Sequence, residues 1–324
     1  AQSGVVHHDR DRVDPGVRLW ADDRSTIHAI APDGQELSTL EVPNHTQVEF
    51  ARPLEGGRVL ALSVDQGITL LESSGAVVWQ IDAACHHEIT LAPRAGDSPG
   101  RRLFAVALHA ARPFRGRSVR FDEVAFLEEA TGEFTRDPAW PSWSSWDHRE
   151  ALDRAAGDAP HPLSVRPAKG PDVGSSGQAR IYDYFHLNGI AFTKGPFTAV
   201  PLGGGQIEGA PERSGPQMVV CLRNVSLIAA VELIEIDPIS GTVEWDWRGT
   251  EDRPLWSRVR GFAQRLSNGN TLVTESERGR VLEVTRAGEI VWEFLNPDTR
   301  AAQNGQQRRR IYRMASPSRP RGPR

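Results

Sequence analysis

Three short stretches of this chain concentrate side chains that bind anions or move protons. They are Cys85-His86-His87-Glu88-Ile89, Tyr182-Asp183-Tyr184-Phe185-His186-Leu187-Asn188-Gly189 and Val219-Val220-Cys221-Leu222-Arg223-Asn224. Histidine changes charge near neutral pH and can act as acid, base, nucleophile or metal ligand. Arginine offers a planar fork of donors that matches an oxyanion, and asparagine adds a neutral donor. A single histidine at the start of a strand is more often structural than catalytic. A His pair, a His-x-Asn and an arginine closing an apolar strand, taken together, point to a shared anion-handling site. A divalent metal held by His86, His87 and His186 is the alternative use of the same imidazoles.

Residues so far apart in sequence need an architecture that gathers them, and the chain carries an internal repeat. Residues 56–79 align with 268–292 through Gly57/Gly269, Gly67/Gly279, Gly75/Gly288 and Trp79/Trp292. Each copy reads as strand, glycine turn, strand, glycine turn and a third strand ending in Trp. Weaker copies of the second half occur at 27–40, 124–137 and 233–247, each with apolar alternation on both sides of a glycine turn. The turn glycines Gly34, Gly75, Gly132, Gly241 and Gly288 leave one gap of double length, so a hidden unit is expected between 150 and 220. Six units of about 54 residues match the size of a four-stranded propeller blade. The expectation is an all-β, six-bladed β-propeller of four-stranded antiparallel blades. It forms one domain over 1–305, followed by a basic Pro/Arg-rich tail over 306–324 that is disordered at its end. In such a fold chemistry gathers where inner strands face the central channel.

Composition narrows the function. The 30 glycines and 23 prolines suit a chain with frequent turns. A net charge of −4 argues against general nucleic-acid binding. No apolar window reaches the roughly 20 residues of a membrane-spanning helix, and no signal-peptide core is present in the sequence. Cys85 and Cys221 read as buried thiols rather than a disulfide. Gly203-Gly204-Gly205 lacks the strand-then-helix setting of a phosphate loop, so no nucleotide cofactor is expected. Trp140, Trp143 and Trp146 read as packing over a blade surface, with an aromatic wall for a planar ligand as the alternative. Trp79, Trp245, Trp247 and Trp292 read as structural, and His7-His8-Asp9 as incidental.

The chain also resembles the bacterial arylsulfotransferase-like propellers over nearly its whole length. The likeness rests on Gly4-Val5-Val6-His7-His8-Asp9 with Pro15-Gly16-Val17-Arg18-Leu19, on Ile30-Ala31-Pro32-Asp33-Gly34, and on the HHEI of 86–89. It continues through the YFHLN of 184–188, the CLRNVSLI of 221–228 and the NGNTLVTESERGRVLEV of 268–284. The resemblance implies a channel histidine that attacks an aryl sulfate, carries the sulfuryl group and passes it to a second phenol, without metal or nucleotide. It assigns sulfate binding and acid catalysis to His87 or His86, His186, Asn188 and Arg223, and it makes a small aromatic or sulfated molecule the partner. In one respect the chain departs from the family. Active members place the nucleophilic histidine of a His-Asp pair just before the Leu-x-Asn-Gly-Asn turn, and here that position falls on Gly261 or its neighbour. No histidine follows His186. Either His86, His87 or His186 takes over as nucleophile or base, with Arg258, Arg260 and Arg265 enlarging the cationic field, or a different reaction runs in the same cavity, metal-assisted through His86, His87 and His186. The remaining possibility is a propeller that binds small molecules or acts as a scaffold without catalysis.

Overall fold

A computed structural model describes residues 2–22, 25–92, 102–114, 117–136, 142–144, 146–147, 181–183, 186–193, 197–199, 205–209, 217–223, 233–236, 243–251, 253–256, 261–302 and 305–317. Regular structure there is almost wholly β, in antiparallel sheets whose strands mostly follow chain order, the blade topology of a β-propeller. Among the described residues there are six sheets of three to five strands and one two-stranded hairpin. The chain divides into two compact units: residues 1–82, 195–202 and 228–324 form the first, and residues 83–194 and 203–227 the second.

In the first unit, the sheet Val48–Pro53, Val59–Ser63, Gly67–Leu71 and Val77–Asp82 is a plain four-stranded meander. Its two middle strands are buried at every position, so both faces are covered, whereas the outermost strand is largely exposed. The sequence repeat is visible in the pairing. After the glycine turn, Leu70 faces Trp79 but Leu71 faces Val77, and in the second copy Glu283 faces Trp292 but Val284 faces Ile290. A one-residue bulge therefore recurs at the same place in both copies, and again where Ala29 faces Ser38 and Ile30 faces Glu36. Gly34, Gly75 and Gly288 hold φ near +90°, where a side chain is disfavoured.

The ends of the chain exchange strands. Gly4–His8 pairs with Ile290–Leu295 as the fifth strand of the sheet Phe262–Arg265, Thr271–Glu275, Arg280–Val284 and Ile290–Leu295. Met314–Ala315 in turn pairs with Arg18–Ala21 and completes a four-stranded sheet with Thr26–Ile30 and Glu36–Glu41. The segment after 305, expected to be a tail, is thus built into the fold as far as Pro317, with Ile311 and Met314 fully buried. Arg313 is buried with them, its guanidinium 5.2 and 5.0 Å from the ring centroids of Phe50 and Phe262.

Sheets of this unit pack face to face. Leu19, Ala21, Ile27 and Leu40 meet Val48, Ala51, Val59, Ala61 and Leu71 on one face. Trp20 and Ile30, on the opposite face of the same sheet, meet Leu272, Val281, Trp292 and Phe294. Leu233 and Trp247 meet Val273, Leu282 and Val284. The period-two alternation is therefore apolar on both faces of the inner strands. One buried polar network crosses this core. Arg18 and Glu283, both with no exposed side-chain surface, pair at 2.5 Å, and Arg18 also donates to the carbonyls of Asp14 and Gly16. Glu283 accepts from the Asp14 amide and from the Asn268 and Asn270 side chains. The Arg18 guanidinium lies 4.9 Å from the centroid of Trp292.

Among the described residues the second unit holds two sheets. Cys85–Leu91, Leu103–Phe114, Arg117–Glu128 and Trp143–Ser144 follow one another, and Ile181–Asp183 adds in parallel to Arg117–Glu128. The other places Gln217–Arg223 between His186–Thr193 and Gly205–Gly209. The hidden repeat unit expected between 150 and 220 falls partly here and partly outside the described residues.

Candidate functional site

His86 and His87 lie on Cys85–Leu91, and the ladder breaks at that point. Val106 faces Ile89, yet Leu108 faces Cys85, so His86, His87 and Glu88 together oppose Ala107 alone. Bulges of this kind re-aim side chains and are common beside functional sites. His87 sits inside the bulge with φ +54°, a left-handed conformation costly for a residue with a Cβ. Its side chain is half-buried, while those of His86, Glu88 and Cys85 are buried.

The bulge carries the His86 ring toward the neighbouring strands. Its Nε2 stands 3.0 Å from Oδ1 of Asp122, and both side chains are only 4% exposed. Asp122 faces His109 in the register of the long hairpin Leu103–Phe114/Arg117–Glu128. The rings of His87 and His109 each lie 5.1 Å from that of His86, the first edge-on and the second tilted. A buried carboxylate beside an imidazole fixes the orientation of the ring. Asp122 and His109 were not singled out in the sequence. They occupy ordinary alternating strands, and only the inter-strand register brings them to His86.

His186 and Arg223 are direct register partners on antiparallel strands. A second irregularity follows at once: Leu187 faces Leu222 but Gly189 faces Cys221, which leaves Asn188 as the extra residue. The strand bearing His186 and Asn188 runs close to the strand bearing His86 and His87, within the same unit. Four of the six residues expected at the site, His86, His87, His186 and Asn188, therefore sit on two neighbouring strands, and Arg223 sits on the strand paired with one of them.

Other expected features have different places. Arg258 and Arg260 lie outside the described residues. Gly261 precedes Phe262–Arg265 in the first unit, where Arg265 donates to the Gly269 carbonyl at 2.7 Å and lies 5.3 Å from the centroid of Trp245. Trp245, Trp247 and Trp292 donate their indole N–H groups to the carbonyls of Arg286, Gly288 and Pro32, which is structural work. Trp146 packs edge-on against Phe121 at 4.8 Å, as a packing residue does. Trp140 lies outside the described residues. His7 holds the exchanged N-terminal strand through Nε2, 3.1 Å from the Ile290 carbonyl. Among the described residues no group of three or more His, Cys, Asp or Glu side chains stands close enough to hold a metal ion, and no helix is long and apolar enough to cross a membrane.

No protein-family model matches the chain, and neither does any curated protein sequence. Among solved structures it is similar to the WD40 domain of Neurospora crassa Pan2, with 8% identity, TM-score 0.39, and coverage of 98% of this chain and 89% of that one. It is also similar to BamB from Moraxella catarrhalis, with 14% identity, TM-score 0.34, and coverage of 89% and 74%. A protein of unknown function from Bacteroides caccae gives 14% identity, TM-score 0.35, and coverage of 90% and 81%.

Proposed function

We propose that the chain is a six-bladed, arylsulfotransferase-like propeller that binds a small aryl sulfate or related aromatic anion. The observation that carries this reading is the pair of strand irregularities at His86-His87-Glu88 and at Asn188, on neighbouring strands, with Arg223 in register beside His186. Arg223 supplies the planar fork for the oxyanion, Asn188 and His186 add donors, and His87 bounds the aromatic side. The chain needs no cofactor for this; metal analysis of the purified protein checks the alternative of a divalent ion on His86, His87 and His186.

A second reading, catalysis, is favoured by the His86–Asp122 pair, which gives the site an oriented imidazole although Gly261 stands where the family carries its nucleophile. In that reading a nitrogen of His87 attacks sulfur, the sulfur–oxygen bond to the aryl group breaks, and protonated His86 gives its proton to the departing phenolate. A second phenol then gives its proton to His86 as its oxygen bonds to sulfur and the nitrogen–sulfur bond to His87 breaks, which restores both histidines.

Calorimetric titration with para-nitrophenyl sulfate tests binding. His186→Ala and Arg223→Ala should abolish it while leaving the melting temperature nearly unchanged. Equal loss of folding would make these residues core instead. Incubating the same protein with methylumbelliferyl sulfate and excess phenol separates the two readings. Binding without phenol release or labelled sulfohistidine leaves the non-catalytic reading, and absence of binding removes both.

A further inference from the structure

The first unit contains an open cleft of about 580 Å³ that has no part in the reading above. Its floor is the turn Ser276–Arg278 and the start of Arg280–Val284, and its rim is the segment Gln306–Arg310, read from sequence as part of a basic tail. That segment is pinned in place. Asn296 donates to the carbonyl of Arg309, the Arg309 amide donates to Asp298, and the Ile311 amide donates to Ser276. Gly279, at φ +57°, lets the two backbones approach: a Cβ there would stand 2.3 Å from the Arg309 carbonyl oxygen.

Four arginines line the cleft, with Glu277 the one carboxylate among its lining residues. Arg278 and Arg280 are neutralised from behind by Glu275, at 3.0 and 3.1 Å, and Arg280 also by Glu293 at 2.8 Å. Arg308 and Arg310 have no carboxylate partner among the described residues; Arg308 donates only to the Gln2 carbonyl. The Arg280 side chain is 9% exposed and its Nη2 is buried with no hydrogen-bond partner among the described residues, an expensive state for a charged donor. Trp256 forms an apolar wall with Arg278 stacked 5.2 Å from its centroid, and Gln306 and Gln307 add neutral donors.

We propose that this cleft is a second small-molecule site, for a phosphate monoester dianion carried on an aromatic body. The guanidinium groups of Arg308 and Arg310, opposed among the lining side chains only by Glu277, leave the cleft a positive field that favours a dianion, and their planar forks match phosphate oxygens. The volume lies in the range of small-molecule sites, roughly 300–1,000 Å³, and far exceeds that of a bare anion. The remaining space beside Trp256 takes the body.

Calorimetry with para-nitrophenyl phosphate, inorganic phosphate and para-nitrophenyl sulfate tests it, using the full chain at low ionic strength. The phosphate ester should bind more tightly than either of the others. Arg310→Gln should weaken it about tenfold, the loss of one charge-assisted contact. Arg308→Gln is the parallel variant, so that a folding defect in one leaves the test standing. His186→Ala should leave this binding unchanged, which separates it from the site on the second unit. The proposal is overturned if the ester does not bind, if inorganic phosphate binds as tightly, if both arginine variants bind as the wild type does, or if His186→Ala removes the binding.

Discussion

Replacing Arg18 by Met should cost about 3–5 kcal/mol, because it breaks a fully buried ion pair and leaves Glu283 charged in the core. The lower end is expected for this partner, since Glu283 keeps the Asp14 amide and the Asn268 and Asn270 side chains as donors. Glu283→Leu should cost more. It strands those three donors and leaves Arg18 with two backbone carbonyls and the face of Trp292. Burial pulls the Arg18 pKa down while Glu283 opposes the shift, so the charge depends on its partner to offset desolvation. The double variant puts two apolar side chains against Trp292 and should cost less than the two single changes together, by roughly 1–3 kcal/mol of coupling. Urea unfolding followed by tryptophan fluorescence, checked by far-UV circular dichroism, measures all four corners of the cycle. Costs that add within about 0.5 kcal/mol would refute the argument, because the two side chains would then be stabilised independently.

Two further outcomes follow from the first unit. Gly279→Ala should destabilise by roughly 1–3 kcal/mol from its left-handed backbone, and by more from the contact with the Arg309 carbonyl. Trypsin should cut the 305–317 segment faster in that variant, and an unchanged digestion rate would contradict the close approach. Glu275 has its pKa held above the ordinary 4.5, mainly by burial, with Arg280 and Arg278 opposing. A raised carboxyl pKa contributes stability in full below 4.5, and that stability is lost as pH rises through the folded-state value. The stability of the wild type relative to Glu275→Gln should therefore increase on acidification from pH 7 toward 4.5. A difference independent of pH would show that the shift is absent.

The repeat was legible because bulge, turn and tryptophan are local. A turn position with φ near +90° strongly favours glycine, and a strand covered on both faces favours apolar residues, so both leave marks in the sequence. The site was legible only in part. His86, His87, His186, Asn188 and Arg223 stand out by type, but nothing in the sequence indicates that two strand irregularities fall on them. Asp122 reaches His86 through the register of a hairpin with twelve paired positions, and a shift of one residue would turn it to the other face. The place of the 306–317 segment was hidden for a different reason. Arginine count dominates its composition, whereas Ile311 and Met314 decide its placement.

The exchange of strands between the two ends has a consequence for biosynthesis. While the protein is being made, the sheet of Arg18–Ala21 waits for Met314–Ala315, and Gly4–His8 waits for Ile290–Leu295. An emerging polypeptide must therefore keep one sheet edge unfinished until residue 295 has been made and a second until residue 315 has, and such edges are where neighbouring nascent chains would stick.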